Sequence, residues 1–238
     1  MASNLHDGHR KRLREKAEKF GMDALEDHEV IELLLFYALP RVNTNEIAHR
    51  LMKRFGRLDR VLEADKDALM EVEGVGENAA YLLRLFPQVF RRYALAKQAT
   101  TVALTNSAAY GEYMMPYFIG KREENVYLLL LDAELRTLSC EHISSGTGMS
   151  VVADIPKIIS CAQRERAAAA VIAHNHPNGV ALPSSADIEL SRKLQKSLAT
   201  VKVKLLDHII VAGPVGDGTE PKYADFVSMA DSGIFRML

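Results

Sequence analysis

The segment that most constrains this chain is His174-Asn175-His176-Pro177, which directly follows the small apolar run 167–173. The last residues of that run are typical of a buried strand. Because side chains alternate along a strand, both histidines point to the same face. Residues 185–198 have a helical pattern, with apolar residues on one side. The sequence therefore predicts two imidazoles at the end of a strand, just before a helix begins.

Ser184 lies eight residues after His176, and Asp187 lies eleven after it. Two imidazoles and a carboxylate are a ligand set of catalytic zinc, whose fourth position is left to water. An aspartate in the first turn of the helix can turn back to complete such a site. Two histidines alone are also compatible with surface residues near a turn. The full pattern predicts a Zn²⁺ site formed by His174, His176 and Asp187.

The spacing Glu-x(n)-His-x-His-Pro-x(6)-Ser-x-x-Asp resembles the JAMM (MPN+) metalloprotease motif, and the letters HNHPNG and LPSSAD resemble the RadC branch of that superfamily. The segments GHRKRL (8–13), DHEVIELL (27–34) and LDHII (206–210) are also similar to RadC segments. The resemblance covers nearly the whole chain. It implies an α+β protein of two domains: an all-α domain of the helix-hairpin-helix type, then a JAMM/MPN-type α/β domain with a mixed, cytidine-deaminase-like sheet.

The resemblance also implies roles in hydrolysis. A zinc ion lowers the pKa of water toward about 7, and a carboxylate that is not a ligand must carry the proton. Glu141 matches that position, although Glu123 and Glu134 also lie near strands. Ser184 matches the family serine that steadies an oxyanion. His208 is a candidate extra ligand, but we expect a structural role or one supporting the ligands.

Three features depart from the family pattern without removing a ligand. Asn178 replaces a serine, residues 155–157 replace the usual Pro-Arg-Glu, and the loop 213–222 is longer than usual. The first two are expected to alter the wall of the pocket and therefore its substrate preference.

The pattern along the chain divides it into two domains. Residues 1–97 contain only predicted helices, residues 98–107 are a polar, Thr-rich linker, and residues 108–238 alternate between strands and helices. Asp27 and Thr44 are the expected N-caps of the second and third helices. In the C-terminal domain, we expect strands at 126–131, 135–144, 171–173, 201–211 and 226–228, and helices at 155–165 and 185–198.

The helical domain contains Leu69-x-x-Val72-x-Gly74-Val75-Gly76-x-x-x-Ala80, which resembles a helix-hairpin-helix motif. Its glycines allow close approach to a phosphate, so Gly74, Gly76 and Arg84 are candidate contacts to branched or single-stranded DNA. Glu71, Glu73 and Glu77 flank the glycines and weaken this interpretation. A tight turn between helices and a protein-docking surface are equally compatible with the pattern. The basic helix at 10–19 is more typical of a solvated face.

Bulk properties set further limits. The 238 residues carry a formal net charge of −1, so DNA binding must depend on local patches. Two cysteines fit a reducing compartment. The charged N-terminus is unlike a signal peptide, and no apolar run reaches the roughly 20 residues that span a membrane. We therefore expect a cytoplasmic protein. An apolar strand edge leaves a homodimer open.

Three functions remain at this point. The first is a zinc-dependent hydrolase of amide or isopeptide bonds that acts on a protein or peptide. The second is a DNA-binding protein in repair or recombination, with the helical domain carrying the function. The third is a metal-dependent nuclease, although a single metal fits peptide chemistry better than the two-metal clamp common for phosphodiesters.

Overall fold

A computed structural model describes residues 3–98, 102–146, 153–177, 180–213 and 226–237. The chain divides into two compact units, Met1–Phe90 and Arg91–Leu238. The division falls inside a helix that continues to Lys97. The expected linker at 98–107 stays a prediction, because residues 99–101 lie outside the described residues. Asn178 and positions 214–222 of the expected long loop lie outside them as well.

The first unit is helical, as the sequence predicts. Its core consists of aliphatic side chains and alanines from the second helix to the sixth. The helices are α1 (Ser3–Phe20), α2 (Asp27–Ala38), α3 (Thr44–Phe55), α4 (Leu58–Glu63), α5 (Lys66–Met70) and α6 (Glu77–Lys97), with a short 3₁₀ turn at Met22–Ala24.

Two helix starts differ from the sequence prediction by one residue. Glu26, not Asp27, is the N-cap of α2, and its N–H donates to the Glu29 carboxylate at 2.9 Å. Asn43, not Thr44, is the N-cap of α3, and its side-chain oxygen accepts from the N–H of Asn45 at 3.2 Å. At α2 this bond satisfies the N–H of the N-cap residue, and at α3 the Asn43 oxygen satisfies one free N–H of the first turn.

A buried carboxylate ties the first three helices together. Glu32 of α2 is 1% exposed. One of its oxygens contacts His9 Nε2 of α1 at 2.9 Å, and the other accepts from Asn45 Nδ2 of α3 at 2.8 Å. Both oxygens therefore have partners, which offsets the cost of removing the carboxylate from water.

The second unit has three layers. Its elements are α7 (Ser107–Met114), a 3₁₀ turn (Met115–Phe118), β1 (Glu124–Leu131), β2 (Thr137–Gly146), α8 (Ile155–Arg164), β3 (Ala169–His176), α9 (Ser185–Thr200), β4 (Lys204–Ala212), β5 (Phe226–Ser228) and a last 3₁₀ turn (Ile234–Met237). The sheet order is β2-β1-β3-β4-β5. Helices α8 and α9 pack on one face, and α7 packs on the other.

The sheet is mixed, which confirms the predicted sheet type. β1 pairs antiparallel with β2 and β3, β3 pairs parallel with β4, and β5 returns antiparallel to β4. The central strand β3 is buried along nearly its whole length because both faces are covered. Its last residue, His176, is the one that reaches partial exposure.

Helix α7 was not predicted from the sequence. Its N-cap is Asn106, whose side-chain oxygen accepts from the N–H of Ala109 at 2.8 Å. Its eight residues include Gly111, which weakens a helical pattern. A Cβ at Gly111 would lie 2.2 Å from the ring of Phe226, so close packing requires glycine there. Tertiary packing therefore outweighs local propensity in this helix.

Among the described helices, none is both long enough and apolar enough to cross a membrane.

The turn before α6 requires glycine at one position. Gly74 has a φ of +91°, and a Cβ there would lie 2.8 Å from the Ile47 side chain. We expect Gly74→Ala to lower the free energy of unfolding by about 1–3 kcal/mol, measured by chemical denaturation. Gly76 is the matched control, because a Cβ at that position would meet nothing within 4 Å. Equal stability of Gly74→Ala and Gly76→Ala would contradict the strain at Gly74.

Candidate metal centre

The three predicted ligands come together at one end of β3. His174 and His176 lie on the same face of that strand, and Asp187 lies in the first turn of α9. One ligand atom from each residue lies within 4.8 Å of the others. His174 is 2% exposed and Asp187 is 8% exposed, whereas His176 is partly open to solvent. Access to the cluster is therefore best on the side of His176.

The spacing of the donor atoms fits a small cation. His174 Nε2 lies 2.9 Å from His176 Nε2 and 3.2 Å from Asp187 Oδ1. His176 Nε2 lies 3.8 Å from the second oxygen, Asp187 Oδ2. A tetrahedral zinc ion with bonds of about 2.0–2.1 Å separates its ligand atoms by roughly 3.4 Å. The residues present therefore suit zinc in the nature of their donor atoms and in their separation.

Ser184 fixes the direction of the Asp187 carboxylate. Asp187 Oδ2 accepts from the N–H of Ser184 at 2.7 Å and from its hydroxyl at 2.6 Å. The Ser184 hydroxyl in turn accepts from the N–H of Asp187 at 3.2 Å, which completes a capping box at the start of α9. One carboxylate oxygen is thus held by the helix start, and the other, Oδ1, faces His174.

The orientation of the His176 ring is fixed by the backbone. His176 Nδ1 lies 3.1 Å from the carbonyl oxygen of Val180, which can only accept, so Nδ1 carries the proton. The pKa of His174 is lowered to about 4, mainly because the ring is buried; Asp187 raises this pKa and His176 lowers it. His174 is therefore neutral near pH 7, as a metal-binding imidazole must be.

Two further buried residues extend the cluster. His174 Nδ1 lies 2.8 Å from Nε2 of His208 on β4, and His208 Nδ1 lies 2.7 Å from the hydroxyl of Ser191 on α9. Both residues are completely buried. Both ring nitrogens of His208 are engaged by His174 and Ser191, so His208 supports His174 and does not offer a nitrogen to the cluster. Sequence reasoning anticipated this for His208 but did not single out Ser191.

Glu141 lies on β2 and is not brought into the cluster. Its carboxylate accepts from Arg164 of α8 at 2.6 Å. Its register partner is Leu128, which pairs in turn with Ile172, two residues before His174 on β3. The assignment of Glu141 as the proton carrier stays a prediction.

The structure places a different carboxylate beside the cluster, one that sequence reasoning missed. Glu124 begins β1 and lies two residues before Val126, which pairs with His174. The two share a face of the sheet because strand side chains alternate. Burial raises the pKa of Glu124, His176 lowers it and Asp187 raises it, so the carboxylate is within electrostatic reach of both ligands.

The side chain of Asn175 holds the backbone around Glu124. Its oxygen accepts from the N–H of Asn125 at 2.8 Å, and its amide nitrogen donates to the carbonyl of Glu123 at 3.1 Å. These are the two peptide groups that flank Glu124. Asn175 is 2% exposed. The residue between the two histidines therefore fixes the start of β1 next to them.

In the helical unit, Gly74 and Gly76 lie in the turn between α5 and α6, and Arg84 lies further along α6. The acids that flank this turn are paired with bases: Glu71 with Arg54, Glu73 with Arg50 and Glu77 with Lys66. These pairs are compatible with a tight turn between helices. The predicted DNA contacts are not tested by them and stay a prediction.

Comparisons with known proteins agree with both units. The family model described as the RadC-like JAB domain matches residues 104–234, and the one described as UPF0758 N-terminal matches residues 8–81. The chain belongs to the RadC-like JAB-domain family. This confirms the resemblance inferred from the sequence motifs.

Curated relatives of this RadC-like chain span nearly its full length. A UPF0758 protein of Bordetella parapertussis is 33% identical over 84% of this chain and 89% of its own. One of Thiobacillus denitrificans is 34% identical over 85% and 90%. One of Fusobacterium nucleatum is 31% identical over 89% and 94%. These names state no activity, so the function must be argued from the site.

The cluster predicts the metal content of the protein. Wild-type protein loaded with zinc and freed of excess ion is expected to retain about one zinc per chain. Asp187→Ala is expected to lose it, because the third ligand and the oxygen held by Ser184 are removed. Elemental mass spectrometry measures both. Glu141→Ala is the matched control, since it removes a carboxylate that lies outside the cluster. Zinc retained equally by all three proteins would contradict the ligand assignment.

Proposed function

We propose that the second unit is a zinc-dependent hydrolase of amide or isopeptide bonds, with a protein or peptide as its substrate. The observation that carries the proposal is the cluster of His174, His176 and Asp187, with Glu124 beside it. The membership of a JAB-domain family supports a metal-dependent hydrolase in general terms. The type of bond that is cleaved, the identity of the metal and the class of substrate are what we propose beyond this general statement.

The donor set supports zinc among the divalent metals. Two imidazole nitrogens and one carboxylate oxygen are common in catalytic zinc sites, whereas magnesium and calcium favour oxygen ligands. A zinc ion held there supplies a Lewis acid and lowers the pKa of water. The chain's own residues must then move a proton and orient the ligands.

Glu124 has the geometry of the proton carrier. It shares a sheet face with His174 and lies within electrostatic reach of His176 and Asp187, yet it belongs to another strand and is not part of the three-ligand group. Its raised pKa suits a group that takes a proton from water and passes it to the leaving nitrogen. Glu141 is less suited because its carboxylate is occupied by the Arg164 guanidinium.

Ser184 contributes first by orienting Asp187. Its hydroxyl has a single proton, which the structure directs to Asp187 Oδ2. The predicted role of this hydroxyl toward an oxyanion requires that proton to change partner during the reaction. We therefore assign Ser184 to ligand orientation and keep the oxyanion role as a prediction.

Two matched variants test the proton carrier. Glu124→Gln is expected to lower kcat by about 10²–10⁴-fold, because the amide cannot accept the proton. Glu141→Gln is expected to retain activity. Peptide and isopeptide-linked substrates are screened first with wild-type protein, and both variants are then compared on any substrate that is cleaved. Zinc content is measured in parallel, so that loss of metal is separated from loss of the base.

The reverse result, with Glu141→Gln inactive and Glu124→Gln active at equal zinc content, would establish the sequence prediction and overturn the role of Glu124. Cleavage that persists in zinc-free wild-type protein would overturn the metal-dependent mechanism itself.

The helical unit remains a candidate DNA-binding module of the helix-hairpin-helix type. Gly76 is informative here, because a Cβ at this position meets nothing within 4 Å. Gly76→Ala should therefore fold normally but weaken binding if the backbone approaches a phosphate there. Binding to branched and single-stranded DNA is measured at several salt concentrations. Unchanged, salt-independent binding by Gly76→Ala would contradict this mode.

Several finer expectations stay predictions. They are the cytidine-deaminase-like arrangement of the sheet, the nuclease alternative, the cytoplasmic location and the homodimer.

A further inference from the structure

We propose that His174, His208 and Ser191 form a hydrogen-bond chain in which donors and acceptors can exchange roles. In this hydrogen-bond chain, His174 Nε2 lacks a proton only when a cation occupies the cluster. The inference rests on the proposed metal site but not on the hydrolytic reaction. It assigns His208 and Ser191 as positioning residues that act through His174.

The chain consists of three short contacts between completely or almost completely buried groups. His174 Nδ1 and His208 Nε2 are 2.8 Å apart, and His208 Nδ1 and the Ser191 hydroxyl are 2.7 Å apart. The hydroxyl of Ser191 also lies 2.7 Å from the backbone carbonyl oxygen of Asp187. A neutral imidazole has one donor and one acceptor nitrogen, so each contact fixes the tautomer of the next ring.

With a cation bound, the direction of donation along the hydrogen-bond chain is determined by His174 Nε2, the atom that binds the cation. His174 Nε2 must then be bare, so Nδ1 carries the proton and donates to His208 Nε2. His208 is protonated on Nδ1 and donates to the Ser191 oxygen. Ser191 directs its own proton to the Asp187 carbonyl, which can only accept. Every polar atom of the chain then has a partner.

Without a cation, the same direction is unfavourable. His176 Nε2 is unprotonated when that ring is neutral, because its proton is held at Nδ1 by the Val180 carbonyl. A bare His174 Nε2 would then face two further lone pairs, those of His176 at 2.9 Å and of Asp187 Oδ1 at 3.2 Å. A proton on His174 Nε2 removes this repulsion, because His176 Nε2 and Asp187 Oδ1 can both accept it.

That proton reverses the chain. His174 Nδ1 becomes an acceptor, His208 is protonated on Nε2 and donates to it, and Ser191 donates to His208 Nδ1. The number of protons is the same in both directions, since each ring keeps one and Ser191 keeps one. Ser191 makes the reversal possible because a hydroxyl can donate or accept without a change of charge.

The tautomers of His174 and His208 in the full-length protein test the proposal directly. Nitrogen-15 NMR of histidine-labelled protein reports which ring nitrogen is protonated, in metal-free protein and after addition of zinc. The expected result is that His174 and His208 are both protonated on Nε2 without metal and both on Nδ1 with zinc. The same tautomer of His208 in both states would overturn the reversal.

Zinc affinity provides a second readout. Ser191→Ala leaves the Nδ1–H of His208 buried without an acceptor in the zinc-bound direction, whereas the metal-free direction loses only a partner for a lone pair. We expect the Kd for zinc, measured by competition with a chromophoric chelator, to rise about tenfold or more. The matched control is Ser228→Ala, which removes another buried hydroxyl, bonded at 2.6 Å to Asp207 and outside the chain.

The outcomes separate this inference from the proposed function. If wild-type protein binds no zinc, the metal site and the proposed hydrolase both fail. If wild-type protein binds zinc and Ser191→Ala binds it equally well, the positioning role alone fails. A purely structural role would lower the thermal stability of Ser191→Ala and Ser228→Ala without a difference in their zinc affinity.

Discussion

The cluster depends on the position of β3 between β1 and β4, because the groups that support its two histidines come from those neighbours. β1 places Glu124 on the ligand face, two residues before the partner of His174. β4 runs parallel to β3 and brings His208 against the other nitrogen of the same ring. Asp187 completes the group because the chain enters α9 directly after the ligand strand. The site therefore depends on the pairing of β3 with both neighbouring strands and on the helix that follows it.

The clustering of His174, His176 and Asp187 could be predicted from the sequence because its geometry is local. Two histidines separated by a single residue in a strand must share a face, whatever the rest of the sheet does. Asp187 is likewise local, since the capping box with Ser184 fixes a carboxylate at the start of a helix. The helical first unit and the alternation of strands and helices in the second followed from hydrophobic patterns of the same kind, whereas the mixed sheet was implied by the family resemblance. Helix α7 could not be predicted in this way. Its position depends on the close packing of Gly111 against Phe226 and not on a hydrophobic pattern in its eight residues.

Glu124 could not be chosen from the sequence because its position depends on pairing over a long separation. Glu123, Glu124, Glu134 and Glu141 all lie in or near strands, and the pairing of the strands, not the local sequence, distinguishes them. Two signals in the sequence were available but not interpretable alone. One is Asn175, whose amide bridges the peptide groups on either side of Glu124. The other is Arg164, which occupies the carboxylate of Glu141.

The residue that contacts His174 Nδ1 is a histidine, His208, and not a carboxylate, and this affects the total charge near Glu124. In the metal-free cluster, burial raises the pKa of Glu124, His176 lowers it and Asp187 raises it. A divalent cation among these residues would add positive charge near Glu124 and favour its ionised form. A carboxylate at position 208 would add a second buried negative charge and reduce that effect. The neutral ring of His208 can pair with either tautomer of His174 without adding charge, so the field of a cation at Glu124 would be preserved.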